Sequence, residues 1–591
     1  MADKKNINRF ISSPIAQTFL VYISGGWIVL EMTDYFINYY SLTERFRDIL
    51  LIVLIICLPL ALFLTWYFSR DKETKDEKDN RLSRILWKRP WFSIPAIMVV
   101  VLVLFTAVRF VYRHNEGDSS RLPDYSNIKD AIDRAEVSLA VLPFTNFSGN
   151  SDQDWLISGQ HEALIHELSK ISQFRPFRII SRSTVDAFKN REKPVSEIAR
   201  EINVEYLVEA SVVASADSVS IQLRLIRVNP EESVVWAESA ITDFTHILKF
   251  YSDLAEQIAE KVDLGLTPDE TERLSNSREV NPESYKAYLR GMYHLNLLTP
   301  EGLEKGLEYL HQAVSLDPAE PFAYAGLALG YLEIAHGPLD PGDALTKAEA
   351  AASQAFKLDS TMAEVYAALA EVYLYDVWEF DLAEEYFLKA LDLNPNLAIV
   401  HYHYAWALYL FGQLDEAIVE HKLAQKYDPF NPLHTSWLGT LYSAKGLHEE
   451  AIEAALESLD MRGDYSSGYF VLGMSYLFSG QEEKAIEAHT KLMELHPWWS
   501  WALGYTYATT GHIEEAEEIL QQLENGNING WVAHGLMTIN AALDRMDEAY
   551  KWLNYEPHHA FAAWAAVMDE YQTLRKDPRF EDFLARLNLP D

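Results

Sequence analysis

Hydrophobic positions along this chain follow three patterns in turn. As far as residue 111 they form continuous runs. From residue 137 to about residue 240 they form short β-branched or alternating stretches. From residue 281 they recur at helical spacing in units that repeat, which predicts paired helices.

The continuous runs are Ile15–Ile37, Asp48–Phe68 (containing ILLIVLIICLPLALFLTWYF) and Trp91–Val111 (WFSIPAIMVVVLVLFTAVRFV). The last two match the roughly 20 residues a helix needs to cross a bilayer. The first is interrupted by Glu31 and Asp34 and has no signal-peptide cleavage site. The expectation is a membrane anchor over 15–113, with spans at 15–37, 48–68 and 91–111 after a cytoplasmic N-terminus, 1–14. Lys4, Lys5 and Arg9 precede the first span, and loop 69–90 carries eight Lys or Arg residues against two, Arg45 and Arg47, in the first loop. Positive charge stays in the cytoplasm. The sequence therefore predicts a multi-pass protein of the bacterial inner membrane with a large periplasmic, extracytoplasmic C-terminal region. Glu31 and Asp34, one helical turn apart, sit either at the outer headgroup level or against a membrane partner.

Residues 114–135 read as a polar, turn-rich linker. VSLAVLPF (Val137–Phe144) predicts a buried strand, DWLISGQHEALIHELSKI a helix, and FRIIS a second strand. YLVEASVVAS, SVSIQLRLIRV and SVVWAESAI alternate and are separated by turn signals, so they predict antiparallel strands. An α/β domain over 136–242 is expected, followed by a connecting helix and linker over 243–280.

In the third regime WLGTLYSAKGLHEEAIEA (Trp437–Ala454) is echoed by YFVLGMSYLFSGQEEKAIEA (Tyr469–Ala488). An acidic-Ala signal recurs at Ala383, Ala417, Ala451, Ala485, Ala516 and Ala549, spaced by 34, 34, 34, 31 and 33 residues. Gly412, Gly446 and Gly480 end first helices, and Pro395, Pro429 and Pro497 end second helices. Such a helix pair cannot bury its own apolar face, so neighbours must stack. About eight repeats are expected over 281–561, with 562–591 as a C-terminal capping segment whose stretch MDEYQTLRKDPRFEDFLARLNLP is more polar.

Two resemblances follow from these motifs. AVLPFTNFSGNSDQDWLISGQHEALIHELSKI, IISRSTVDAFK and IAREINVEYLVEASVV, over about Glu136–Leu264, resemble the TolB-like (FlgO-like) amino-terminal domain family, with Ala210 where that family would place Gly. The repeats resemble the tetratricopeptide (TPR) family. With the three apolar spans, they imply a multidomain fold: three transmembrane α-helices, an α/β TolB-like domain and an all-α TPR solenoid. The TPR resemblance implies that the inner face is lined by first-helix residues offset from the small position. These are Tyr402, Trp406 and Tyr409, then Ser436, Thr440 and Ser443, then Phe470, Met474 and Phe478, then Trp498, Trp501 and Tyr505. Spacing of i, i+4, i+7 places each set on one helical face. The expectation is an aromatic groove with a gap of small residues, suited to a protein or peptide anchor.

Composition narrows the chemistry. The net charge is −37, with about four excess positive charges before residue 122 and about forty excess negative charges after it, which argues against nucleic acid as a partner. One cysteine, Cys57, excludes a disulfide framework and a CxxC site. NFSGNSD lacks the GxGxxG or GK[ST] of a phosphate loop. His161 and His166 are five apart rather than at the HExxH spacing, and His401 and His403 point to different helix sides. No cofactor, metal or catalytic constellation is expected. Lys and Arg are scarce in the groove, against a carboxylate-clamp ligand. The sequence thus predicts a membrane-anchored, non-enzymatic scaffold with a partner in the envelope or the same membrane. The alternatives are a signal transducer or, less well supported, an enzyme. Relatives of such an architecture carry cytoplasmic DNA-binding or cyclase modules. About fourteen residues before the first span leave room for none, so an output domain would come from another protein. The oligomeric state is not set by the sequence.

Overall fold

A computed structural model describes residues 136–591, apart from 190–192, 216, 230, 276–277, 298, 337–341, 556–561, 588 and 590–591. Six strands come first: β1 (Val137–Val141), β2 (Thr145–Asn146), β3 (Phe177–Ile179), β4 (Tyr206–Ala214), β5 (Ser218–Arg227) and β6 (Ser233–Asp243). They order as β3-β1-β4-β5-β6, with β2 beside β4. β1 lies between β3 and β4 and is parallel to both. A strand covered on both faces must be apolar throughout, and Leu139, Ala140 and Val141 are fully buried. β5 alternates instead: Val219, Ile221, Leu223 and Leu225 face the core, while Gln222 and Arg224 face outward.

Helices α1 (Asp154–Ser169) and α4 (Ile247–Lys261) cover one sheet face through Leu164, Leu168, Tyr251 and Ile258. Helices α2 (Arg182–Asp186) and α3 (Val195–Glu201) bury Val185 and Ile198 with Ala140 and Leu207. The loop NFSGNSD is a polar turn into α1: the Asn146 amide donates to Asn150 O and to Asp154 Oδ1, and Gly149 takes φ 71°.

After α5 (Pro268–Leu274), eight antiparallel helix pairs follow among the described residues. The first four are Pro282–Leu295/Pro300–Leu316, Pro321–His336/Ala344–Leu358, Ala363–Val372/Phe380–Leu393 and Ala398–Leu410/Leu414–Tyr427. The next four are Pro432–Ala444/His448–Met461, Ser466–Phe478/Glu482–Leu495, Ser500–Thr510/Ile513–Glu524 and Gly530–Ala542/Met546–Leu553. The repeating alanines explain the stacking: Ala383, Ala417, Ala451, Ala485, Ala516 and Ala549 are all fully buried. A Cβ on Gly473 would meet the His489 ring at 2.2 Å, so the two helices of that pair approach only through glycine. The turn at the end of the first helix needs a left-handed residue, supplied by Gly412, Gly446, Gly480 and Gly511 at φ 78°, 78°, 75° and 88°. In the third pair Trp378 holds that position at φ 58°, after a π-helical turn over Tyr373–Val377.

The expected fold class needs correction. Among the described residues no helix is long and apolar enough to cross a membrane. The longest, Pro300–Leu316, has 17 residues and carries Glu301, Glu304, Lys305 and Glu308. The described fold is a sheet domain followed by an all-helical solenoid, in place of three transmembrane helices followed by two outer domains. The apolar runs at 15–37, 48–68 and 91–111, with Glu31, Asp34 and the linker 114–135, lie outside the described residues. The inner-membrane, multi-pass localisation is dropped with them.

The described residues fall in one compact unit, so the sheet domain and the solenoid share an interface. A Cβ on Gly159 of α1 would stand 2.7 Å from the Leu289 side chain in the first pair. His166 Nδ1 lies 3.0 Å from Glu364 Oε1 in the third. Beyond these contacts, the loops after the third and fourth pairs meet the sheet domain through buried polar groups. Asn394 donates to Ser169 Oγ at 2.9 Å, and Asn396 to Phe177 O at 3.0 Å. Asp428 accepts from Ser183 Oγ at 2.5 Å and Thr184 Oγ1 at 2.7 Å, and Ser181 N donates to Tyr427 O at 3.0 Å. Burial opposes ionisation of Asp428, yet bonds from His434 and the serines, with the charge of His434, hold its carboxyl well below the usual carboxylate range.

Candidate binding groove

The first helices of the fourth, sixth and seventh pairs bring six of the nine expected aromatic and methionine residues of the groove into one buried band. Tyr402, Trp406, Tyr409, Phe470, Trp501 and Tyr505 are each at least nine-tenths buried. Trp406 meets Tyr402 at 6.4 Å and Tyr409 at 6.1 Å between ring centroids. Phe470 meets Trp501 at 5.5 Å. Three residues differ in placement. Met474 is buried beside the band but brings no ring to it, Phe478 is half-buried, and Trp498 stands at the margin with 38% of its surface exposed.

The expected gap at Ser436, Thr440 and Ser443 is bridged from the side by Trp437. Its ring lies 5.4 Å from Trp406 and 5.8 Å from Phe470. Trp499 extends the band, 4.8 Å from Phe470 and stacked 5.7 Å from Trp501. These offset and edge-on contacts are the arrangements aromatic rings prefer. The buried indole N–H groups of Trp499 and Trp501 have no hydrogen-bond partner among the described residues.

The band is covered by the chain itself. Ala562–Ala566, AAWAA, forms a 3-10 turn, and Ala563, Trp564 and Ala565 are at most 1% exposed. Trp564 stacks on Tyr375 of the third pair at 5.1 Å and meets Trp406 edge-on at 6.3 Å. The Tyr409 hydroxyl donates to Val567 O at 3.2 Å. Arg575 Nη1 donates to Ala565 O at 3.0 Å and Met568 O at 2.5 Å. Tyr571 Oη hydrogen-bonds His534 Nε2 in the eighth pair at 2.7 Å.

Thr440 and Ser443 line a cavity of about 20 Å³ with Met474, Met568, Asp569 and Glu570, room for about one water. The small residues therefore make space for two carboxylates. Glu570 is 6% exposed, and burial, with the charge of Asp569, pushes its carboxyl up to about 7. Burial first, and then the charges of Glu570 and Asp569, raise the Tyr409 and Tyr505 hydroxyls as well.

The expected capping segment is thus divided. Phe580, Phe583 and Leu587 are buried at the end of the array, where Arg579 bonds Asp547 and Arg586 bonds Asn554. Residues 562–571 instead enter the groove. Sequence reasoning missed Tyr375, Trp437, Trp499, Trp564 and Glu570. One signal was available: AAWAA is an apolar run just before the polar stretch that begins at Met568.

The histidines serve the packing. His161 Nε2 is 2.8 Å from Val141 O. His401 contacts Glu420 Oε2 at 2.5 Å and Pro395 O at 2.9 Å, whereas His403 contacts the Tyr375 hydroxyl at 3.0 Å. Among the described residues no group of three or more His, Cys, Asp or Glu could hold a metal.

Comparison with known proteins bears on both parts. Residues 135–260 match the family described as HilA/YgeH-like transcriptional regulator, second domain, in place of the TolB-like family expected over 136–264. Residues 363–397 and 386–419 match tetratricopeptide-repeat families. With the period of the buried alanines, these matches identify the helical part as a tetratricopeptide array. The chain is 28% identical over 195 residues to the Putative adenylate cyclase 3 of Rhizobium meliloti, covering 33% of this chain and 32% of that one. It is 26% identical over 295 residues to the Transcriptional regulator HilA of Salmonella typhimurium, covering 49% of this chain and 51% of that one. The chain spans about a third to a half of the length of these curated relatives. Similar solved structures include PilF of Pseudomonas aeruginosa, at 19% identity and TM-score 0.26 over 44% of this chain and 98% of that one. A thermophilic TPR protein of Thermus thermophilus is 18% identical with TM-score 0.29, over 33% of this chain and 99% of that one.

Proposed function

We propose that this chain is a non-catalytic binding protein whose tetratricopeptide array takes a protein or peptide segment on its aromatic inner face. The sheet domain, fixed to the array by the polar junction, is carried as its second module. The observation that supports this most is the aromatic band itself, which already accommodates a tryptophan-bearing 3-10 segment of the same chain. Trp and Tyr dominate binding hot spots because each buries a large area at small entropic cost. The indole N–H groups of Trp499 and Trp501 favour the same reading, since a peptide carbonyl would satisfy them. The charge after residue 121 disfavours nucleic acid at this face.

The test is affinity purification of the full chain from native extract, comparing wild type with Trp498→Ala and Phe478→Asp at the accessible margin. Leu456→Asp, on a second helix and 45% exposed, is the control. A partner lost with the margin variants and kept by the control is the expected result. A partner kept by folded margin variants places the binding surface elsewhere. Formation of cyclic nucleotide from ATP by the purified chain would contradict the non-catalytic part.

A further inference from the structure

A solenoid end needs a cap that touches only the last repeat, because each repeat contacts only its neighbours. Phe580, Phe583 and Leu587 already supply that cap. Residues 562–571 do something else. They reach from beyond the eighth pair back to Tyr375 in the third, and Val567 pairs with a hydroxyl 158 positions earlier. Their contacts are those of a bound peptide. A tryptophan flanked by alanines enters an aromatic slot, the Tyr409 hydroxyl of the array holds the Val567 carbonyl, and two carboxylates sit over the small-residue gap, while Arg575 of the same tail holds the turn through two further carbonyls. The slot is also where the repeat geometry departs from its neighbours. Tyr375 lies on the π turn that ends in Trp378, whose left-handed φ of 58° stands where the fourth to seventh pairs use glycine. Backbone strain held in place by packing clusters at ligand clamps.

We propose that segment 562–571 is a ligand mimic seated in cis, and that the partner of the inner face is a peptide segment of the same chemistry, a tryptophan between small residues followed by an acidic pair, which binds by displacing it. This rests on the reading of the array as a peptide-binding surface and specifies the partner's class. A tethered occupant competes at high effective concentration, so a free peptide of the same sequence binds the wild type weakly. Flanking alanines let the tryptophan enter a slot whose walls are already aromatic, and the small residues Thr440 and Ser443 leave room for the carboxylates.

The test uses the full chain and a labelled peptide of sequence AAWAAVMDEY, with fluorescence anisotropy as the readout. Trp564→Ala weakens the cis segment without touching the groove, and the peptide is expected to bind this variant at least about tenfold more tightly than wild type. A peptide with its tryptophan replaced by alanine is expected not to bind. Arg575→Gln keeps Trp564 but loses the bonds to Ala565 O and Met568 O, and is expected to raise affinity several-fold. A folded Trp564→Ala protein that binds the peptide no better than wild type overturns the proposal. So does failure of both variants to fold, since the segment is then an obligatory part of the core. A native partner lost with the margin variants but captured equally by wild type and Trp564→Ala would leave the functional reading standing and sink only the mimicry.

Discussion

The array buries two of its surfaces against other parts of the chain, and it does so with opposite chemistry. The first pair packs on the sheet domain through apolar side chains such as Leu289, but where the loops after the third and fourth pairs meet that domain the buried contacts are chiefly polar: Asp428 with Ser183 and Thr184, Asn394 with Ser169, and Glu136 with Lys426 at 2.6 Å. Over the inner face they are aromatic: Trp564 on Tyr375 and Trp406. A buried, fully bonded polar contact fixes one geometry and is costly to break by halves, because it leaves charges and donors without partners. An aromatic slot accepts any segment that fills it, and releasing its occupant strands no charge in the interior. The junction therefore has the chemistry of a permanent joint, and the inner face that of an exchangeable one.

The strongest way to break the comparison is Asp428→Ala. It leaves Ser183, Thr184 and Asn431 without their shared acceptor and is expected to cost about 3–5 kcal/mol, read by urea denaturation. A loss as small as that of an exposed pair would mean that the junction is not a joint.

Trp564→Ala comes next. Deleting a core tryptophan costs about 3–5 kcal/mol. An exchangeable occupant should cost the array less, under about 2 kcal/mol on the same reckoning, because the helices beneath it stay folded. A cooperative loss as large as that of Asp428→Ala would erase the distinction between the two surfaces.

Protonation sharpens the picture. Burial raises the Glu570 carboxyl from 4.5 to about 7 when the segment is seated among Asp569, Arg575, Tyr409, Tyr505 and Tyr571. The seated state thus holds the proton more tightly than the released state. Seating is strongest below the released value, weakens as pH rises through the seated one, and is flat above it. Affinity of the wild type for the peptide AAWAAVMDQY, in which glutamine replaces that glutamate, is expected to rise between about pH 5 and about pH 7.5, and Glu570→Gln to flatten that rise. An unchanged slope in Glu570→Gln would assign the titration to another group.

The smallest effect belongs to a control outside both surfaces. Asp544 is exposed and holds φ 60° at the turn of the eighth pair, where Gly511 serves the seventh. Asp544→Gly is expected to stabilise the chain by under about 1 kcal/mol, as a small rise in Tm, with no change in peptide binding.

The two surfaces also differ in how far the sequence reveals them. The 34-residue period is legible because each repeat solves the same local problem, and Ala451 or Gly480 announces its role from its own neighbours. The groove residues come from the tetratricopeptide resemblance, and the period only sets which positions of this chain correspond, so Tyr402, Trp406, Tyr409, Phe470, Trp501 and Tyr505 could be named together. The gap at Ser436, Thr440 and Ser443 was legible as a gap, but not as space for Asp569 and Glu570. What occupies the groove is set by contacts between positions far apart in the chain, and no local period encodes those. Asp428 illustrates the same limit at the junction: beside Pro429 it reads as a helix stop, and its bonds to Thr184 lie 244 positions away. The apolar runs before residue 112 were read from their length alone, and they lie outside the described residues.

The most direct test of the account is amide hydrogen exchange across the full chain, comparing residues 562–571 with the junction residues 177–184 and 426–431. If the inner face holds an exchangeable occupant, the amides of 562–571 exchange at least about a hundredfold faster than those of the junction, and addition of the AAWAAVMDEY peptide speeds them further. If both regions exchange together at the slow rate of global unfolding, and the peptide changes neither, the segment is a permanent part of the core and the central claim is contradicted.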